Sequence, residues 1–149
     1  MKSEADGQAM SAAGTRVVLT PGVARRAVRL AIEYIQANLA EEVCLADIAR
    51  AASLSTFHFA RVFRNATGVT PYRYCLQARV ERVKGLLLES EDGLAAVAIQ
   101  AGFSDQSHMS NVFRRLTGMT PRAFRNTSIV RIAYGSPDLT HPLRSEPPQ

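Results

Sequence analysis

The chain has 149 residues, 46% of them apolar, which suits one domain of ordinary size or two small halves sharing a linker and excludes general disorder. Its net charge is +5, and the excess is localised: residues 45–125 hold eleven Lys/Arg against six Asp/Glu, leaving seven of each sign elsewhere. That placement suits a block facing a polyanion. No apolar run approaches the ~18 residues of a membrane span and no signal-peptide core opens the chain, so the expected location is the cytoplasm.

Residues 1–19 are rich in Ala, Gly and Ser and read as a flexible leader or linker. Thr20-Pro21 offers an N-cap followed by proline at the first helical position, and Val28, Ile32, Ile35 and Leu39 then mark an amphipathic helix to about residue 40. A short helix is expected over about 45–52, a turn at Ser53-Leu54-Ser55 and a second helix over about 56–66, stopped by Gly68. Thr70-Pro71 starts the longest helix, about 71–89, with Leu76, Val80, Val83 and Leu87 on one stripe. Glu91-Asp92-Gly93 breaks it. There follow a helix at about 94–101, a turn at Gly102-Phe103-Ser104, a helix at about 105–116 and a last helix from Thr120-Pro121. The ordered domain is expected to span 20–127, with 128–149 a mostly disordered tail.

Residues 45–74 and 94–124 are two copies of one unit. At an offset of 49, Leu45, Ala46, Ala49, Ala52 and Ser55 match Leu94, Ala95, Ala98, Ala101 and Ser104. One residue is then inserted, and at an offset of 50 His58, Val62, Phe63, Arg64, Thr67, Gly68, Thr70 and Pro71 match His108, Val112, Phe113, Arg114, Thr117, Gly118, Thr120 and Pro121. A repeat with two helical patterns per copy means a duplicated helical module. A short helix, a three-residue turn and a second helix make a helix-turn-helix, whose second helix enters the DNA major groove.

The faces of the second helices divide the labour. Phe59, Val62, Phe63 and Ala66, with Met109, Val112, Phe113 and Leu116, fall at core spacing. The opposite faces carry Phe57, Ala60, Arg61 and Arg64 in one copy, and Gln106, Ser107, Ser110, Asn111 and Arg114 in the other. Arg61 can pair with guanine O6 and N7, Gln106 or Asn111 with adenine, and Phe57 with Ala60 can meet a thymine methyl. Arg64 and Arg114 are identical in both copies and are assigned, with Arg115, to phosphate. The bland alternative is that Arg61, Gln106 and Asn111 are only the polar face of a helix. His58 and His108 are read as structural hydrogen-bonding or phosphate-contacting groups.

Cys44 and Cys75 lack the number and spacing of a disulfide framework or zinc site, and both are expected to pack, reduced, as small hydrophobes. No catalytic residues, metal ligands or cofactor are expected.

Taken together, LADIARAASLSTFHFARVFRNATG and especially GFSDQSHMSNVFRRLTGMTPRAFR at 102–125 resemble the AraC/XylS transcriptional regulators over about 24–125. The resemblance implies an all-α, homeodomain-like fold of two helix-turn-helix subdomains joined by a long linker helix. It implies base reading by Phe57, Ala60, Arg61, Gln106, Ser107, Ser110 and Asn111, although Ala60 and Asn111 stand where some members carry longer or basic side chains. It also implies a monomer that reaches two successive major-groove segments of an asymmetric site of about 20 bp. Recognition helices held closer than about 34 Å would bend that DNA.

Double-stranded DNA is the expected partner, and RNA polymerase a further one. Two forms fit: a stand-alone regulator, favoured by Met1, or the DNA-binding end of a longer ligand-responsive protein, favoured by the linker-like leader. The short leader leaves no room for an effector domain in this sequence. Other classes are a protein-interaction module and, by analogy with alkyl-DNA repair proteins that carry such a domain, an enzyme with an activated cysteine.

Overall fold

In the computed structural model, which describes residues 19–134, the described residues form seven α-helices and no strand: α1 Pro21–Ala37, α2 Leu45–Ala51, α3 Thr56–Thr67, α4 Pro71–Glu89, α5 Leu94–Gln100, α6 Gln106–Thr117 and α7 Pro121–Tyr134. The Thr20 hydroxyl accepts the Val23 N–H at 3.4 Å, and Pro21 sits where the backbone N–H would have no helical partner. Ala27, Val28, Ala31 and Ile35 turn inward. α1 ends at Ala37, short of residue 40, where Asn38 donates its side-chain amide to the Tyr34 carbonyl at 2.8 Å. Leu39 still reaches the core from the loop beyond.

Two cores form, one per copy of the repeat. In the first, Phe59 and Phe63 are fully buried with ring centroids 5.4 Å apart, and Tyr74 meets Phe63 edge-on at 5.4 Å. In the second, Met109 and Phe113 are buried and Phe124, the counterpart of Tyr74, meets Phe113 edge-on at 5.6 Å. Burying each such side chain contributes about 1.5–3 kcal/mol. α4 serves both cores: Cys75 belongs to the first, while Leu76, Val80, Val83 and Leu87 belong to the second. The linker is therefore a structural wall of the second unit as well as a connector.

Three expectations are corrected. Ala66, assigned to the core, is exposed, because its single methyl near the end of α3 does not reach inward; Leu116, its longer counterpart, is half-buried. Cys44 is exposed rather than packed, since it stands at the N-cap of α2 with extended backbone, whereas Cys75 is buried. The last helix runs on to Tyr134, so residues 128–134 of the expected tail are helical. No Gly or Pro interrupts the sequence between Pro121 and Gly135, and the helix packs along α4. Residues 1–18 and 135–149, including the rest of that expected tail, lie outside the described residues. No helix among the described residues is long and apolar enough to cross a membrane.

Candidate nucleic-acid interface

Both copies make their turn in the same way. Ser53 N–H donates to the Arg50 carbonyl and Leu54 N–H to Ala49; Gly102 N–H donates to Ile99 and Phe103 N–H to Ala98, all at 2.9–3.0 Å. This is the Schellman pattern, and it needs a left-handed residue: φ is +57° at Ser53 and +90° at Gly102. The inserted residue then acquires a purpose. In the first copy the Ser55 hydroxyl accepts the His58 N–H at 3.3 Å and caps α3. In the second, Asp105 takes over the cap, its carboxylate accepting the His108 N–H at 2.8 Å. That leaves the Ser104 hydroxyl within 3.3 Å of His108 Nδ1. The His108 ring also stands edge-on to Phe103 at 5.3 Å. Chiefly because it accepts that N–H, the Asp105 carboxyl is held below the usual carboxylate value.

Once α3 and α6 are fixed by these caps and cores, their opposite faces are set. Phe57, three-quarters exposed, lies one turn from Arg61, and Arg64 follows on the same side; Ala60 is half-buried among them. On α6, Gln106, Ser107, Asn111 and Arg114 are exposed and Ser110 is half-buried. Among the described residues, Arg61, Arg64, Arg114 and Arg115 have no carboxylate within salt-bridge distance; the ion pairs present are Arg29–Glu33, Arg50–Asp47 and Lys84–Glu81.

Arg115 lies apart from the rest. It points about 100° around the helix from Arg114 and lines a cleft of about 330 Å³ with Arg73, Gln77, Glu81 and Lys84 of α4. Sequence reasoning did not place these linker cations beside it, because their proximity depends on how α4 crosses α6. Two other arginines of the basic block turn inward. Arg79 donates from Nε to the Leu39 carbonyl at 3.1 Å and from Nη2 to Glu41 at 2.7 Å; Arg125 Nη2 donates to the Asp92 carbonyl at 2.8 Å and to Ser90 at 3.4 Å. Each ties the loop before a helix-turn-helix to a helix packed behind it. Half-buried and committed to these carbonyls, they are less open to a polyanion than the outward-facing arginines.

Among the described residues no cluster of three or more His, Cys, Asp or Glu could hold a metal ion. The Cys75 thiol is pushed up by burial, partly opposed by the nearby Arg79 guanidinium.

A family profile described as a helix-turn-helix domain matches residues 48–127, more than half the chain. The chain belongs to the AraC-type helix-turn-helix family. Over 92 residues, 62% of this chain, it is 36% identical to the probable transcriptional regulator LumQ of Photobacterium leiognathi. Over 107 residues, 72% of this chain, it is 31% identical to AdaA of Bacillus subtilis, a bifunctional transcriptional activator and DNA repair enzyme. The chain spans 37% of the length of LumQ and 51% of AdaA. Two solved AraC-type structures share the fold. A transcriptional regulator from Chromobacterium violaceum superposes with a TM-score of 0.66 at 27% identity, covering 69% of this chain and 92% of that one. The DNA-binding domain of AdpA, a global transcriptional factor solved in complex with a target DNA, gives 0.65 at 26%, covering 74% and 97%.

Proposed function

We propose that this AraC-type domain is the sequence-specific DNA-binding part of a transcriptional regulator, with α3 and α6 entering successive major-groove segments of an asymmetric site of about 20 bp. The observation that carries this reading is the contrast between the two outer faces. Arg64 and Arg114 are kept in both copies, whereas Phe57, Ala60 and Arg61 in one give way to Gln106, Ser107, Ser110 and Asn111 in the other. Shared cations suit the uniform phosphate backbone, and differing groups suit two different sets of base edges. Arg115, turned toward α4, joins the phosphate-contacting set with Arg73 and Lys84 beside it.

The chain acts as a monomer on its site, in the cytoplasm. RNA polymerase is its second partner if it activates, as AdaA does by description. We read the chain as binding DNA without transforming it: of its two cysteines, Cys75 is buried with a raised thiol, and no histidine neighbours Cys44 in sequence. Transfer of a labelled methyl group from alkylated DNA to the protein would overturn this part.

Selection from random duplex DNA tests the whole. The expected product is one non-palindromic consensus bound at least about a thousandfold more tightly than scrambled DNA at physiological salt. Equal affinity for both defeats the reading.

A further inference from the structure

The repeat supplies its own control for a residue whose role goes beyond turning the chain. Ser53 and Gly102 hold the same place in the same Schellman turn, both with positive φ. Ser53 shows that a side chain can stand in this turn at φ +57°, whereas Gly102 sits further out, at φ +90°. At Gly102 the backbone already disfavours a side chain, and a second constraint comes from outside the turn. A Cβ there would run into the Leu39 carbonyl oxygen, and would lie 2.9 Å from the Leu39 carbonyl carbon and 2.9 Å from Arg79 Nε. The same Leu39 oxygen accepts the Arg79 Nε–H, and the Glu41 oxygen accepts Arg79 Nη2.

Three parts of the molecule thus meet at one point: the loop after α1, which belongs to the first unit; the middle of α4; and the turn of the second unit. The residues around the contact are anchored on both sides. Leu39 is buried in the first core, while Ala101 and Phe103, flanking Gly102, are buried in the second. A movement of one unit against the other would have to pull a buried side chain or break the Arg79 bonds.

The geometry points to Gly102, Leu39 and Arg79 as a latch that fixes the relative placement of the two helix-turn-helix units, and so sets the spacing between half-sites that the protein accepts. Its consequence for DNA rests on the function proposed above. Inserting one base pair between the half-sites moves the second by about 3.4 Å and turns it by about 35° around the duplex. A latched pair of heads cannot follow that change; an unlatched pair can follow part of it.

The first test uses the free protein. A spin-label pair on exposed Cys44 and on the thiol introduced by Ala96→Cys reports the distance between the units, one label on each. The expected result is a single narrow distance in the wild type, unchanged by Ser53→Gly, and broadened or displaced by Gly102→Ala and by Arg79→Gln. Circular dichroism of each variant confirms that the helices remain. If Gly102→Ala does not fold, Arg79→Gln decides alone. A narrow, unmoved distance in the folded latch variants overturns the proposal.

The second test uses the selected DNA site with and without one inserted base pair. Wild type should lose about tenfold or more on insertion, and Gly102→Ala should discriminate less than about threefold while binding the original site more weakly. An unchanged preference in Gly102→Ala overturns the claim about spacing. If no specific site exists, the functional reading fails, while the distance measurement still judges the latch.

Discussion

Arg61 and Arg64 are both exposed on α3, less than one turn apart, yet the repeat assigns them different work. Arg64 has an identical partner in Arg114, and Arg61 faces Asn111 at the equivalent position. The expected outcome of Arg61→Ala is a loss of about 1–3 kcal/mol on the selected site with relaxed preference at one base pair. Arg64→Ala should weaken selected and scrambled DNA together and lower the salt slope by about one. Fluorescence anisotropy over a salt series separates the two, and identical behaviour of both variants on both DNAs refutes the division. The contrast between Arg64, repeated as Arg114, and Arg61, replaced by Asn111, was legible in the sequence because two copies displayed it side by side. The inward use of Arg79 and Arg125 was not, since the carbonyls they reach lie 33–40 residues upstream and no local pattern announces them. Cys44 was misjudged for a related reason: the apolar character of a thiol says nothing about a place at a helix cap.

Among the elements, boundaries followed residues with a local mechanism. Thr20-Pro21, Thr70-Pro71 and Thr120-Pro121 open helices, and Gly68 and Gly118, at φ +81° and +82°, close them. α7 ran past its expected end with Ile129, Val130 and Ile132 exposed, so its hydrophobic pattern carries little information; no Gly or Pro stops it before Gly135. α3 and α6 differ in how they begin, and this gives them different responses to acid. Asp105 accepts the His108 N–H as a carboxylate, which holds its carboxyl below the usual value. A depressed value means that the stabilisation is complete above the ordinary carboxylate range and fades as pH falls through the lowered one. Melting temperatures followed from neutrality to below about pH 4 should therefore fall more steeply for the wild type than for Asp105→Asn, which keeps an acceptor that does not titrate. Parallel curves would remove the cap from the account. Ser55, a neutral cap, gives the first unit no such dependence; Ser55→Ala should cost about 1 kcal/mol at any pH, read by urea unfolding.

At the scale of the whole molecule, the duplication could have produced two independent beads, and the structure makes them share a wall. Cys75 and Leu76 are consecutive on α4, yet one lies in the first core and the other in the second. Damage to the second core should therefore reach the first. Phe113 is fully buried and packs on Phe124, so Phe113→Ala should destabilise by about 3–5 kcal/mol. Cys75 then reports from the far side: buried in the first core with a thiol that burial keeps protonated, it should resist a thiol reagent near neutral pH until its surroundings open. In a Cys44→Ser background, where Cys75 is the remaining thiol, its modification and the loss of helical dichroism should follow one transition in urea. Phe113→Ala should shift both to lower urea by the same amount. If the second unit unfolded first, with Cys75 still protected, the shared helix would be only a tether. α3 and α6 would then be held by separate folds, and a fixed relation between them would rest on the Gly102, Leu39 and Arg79 contact alone.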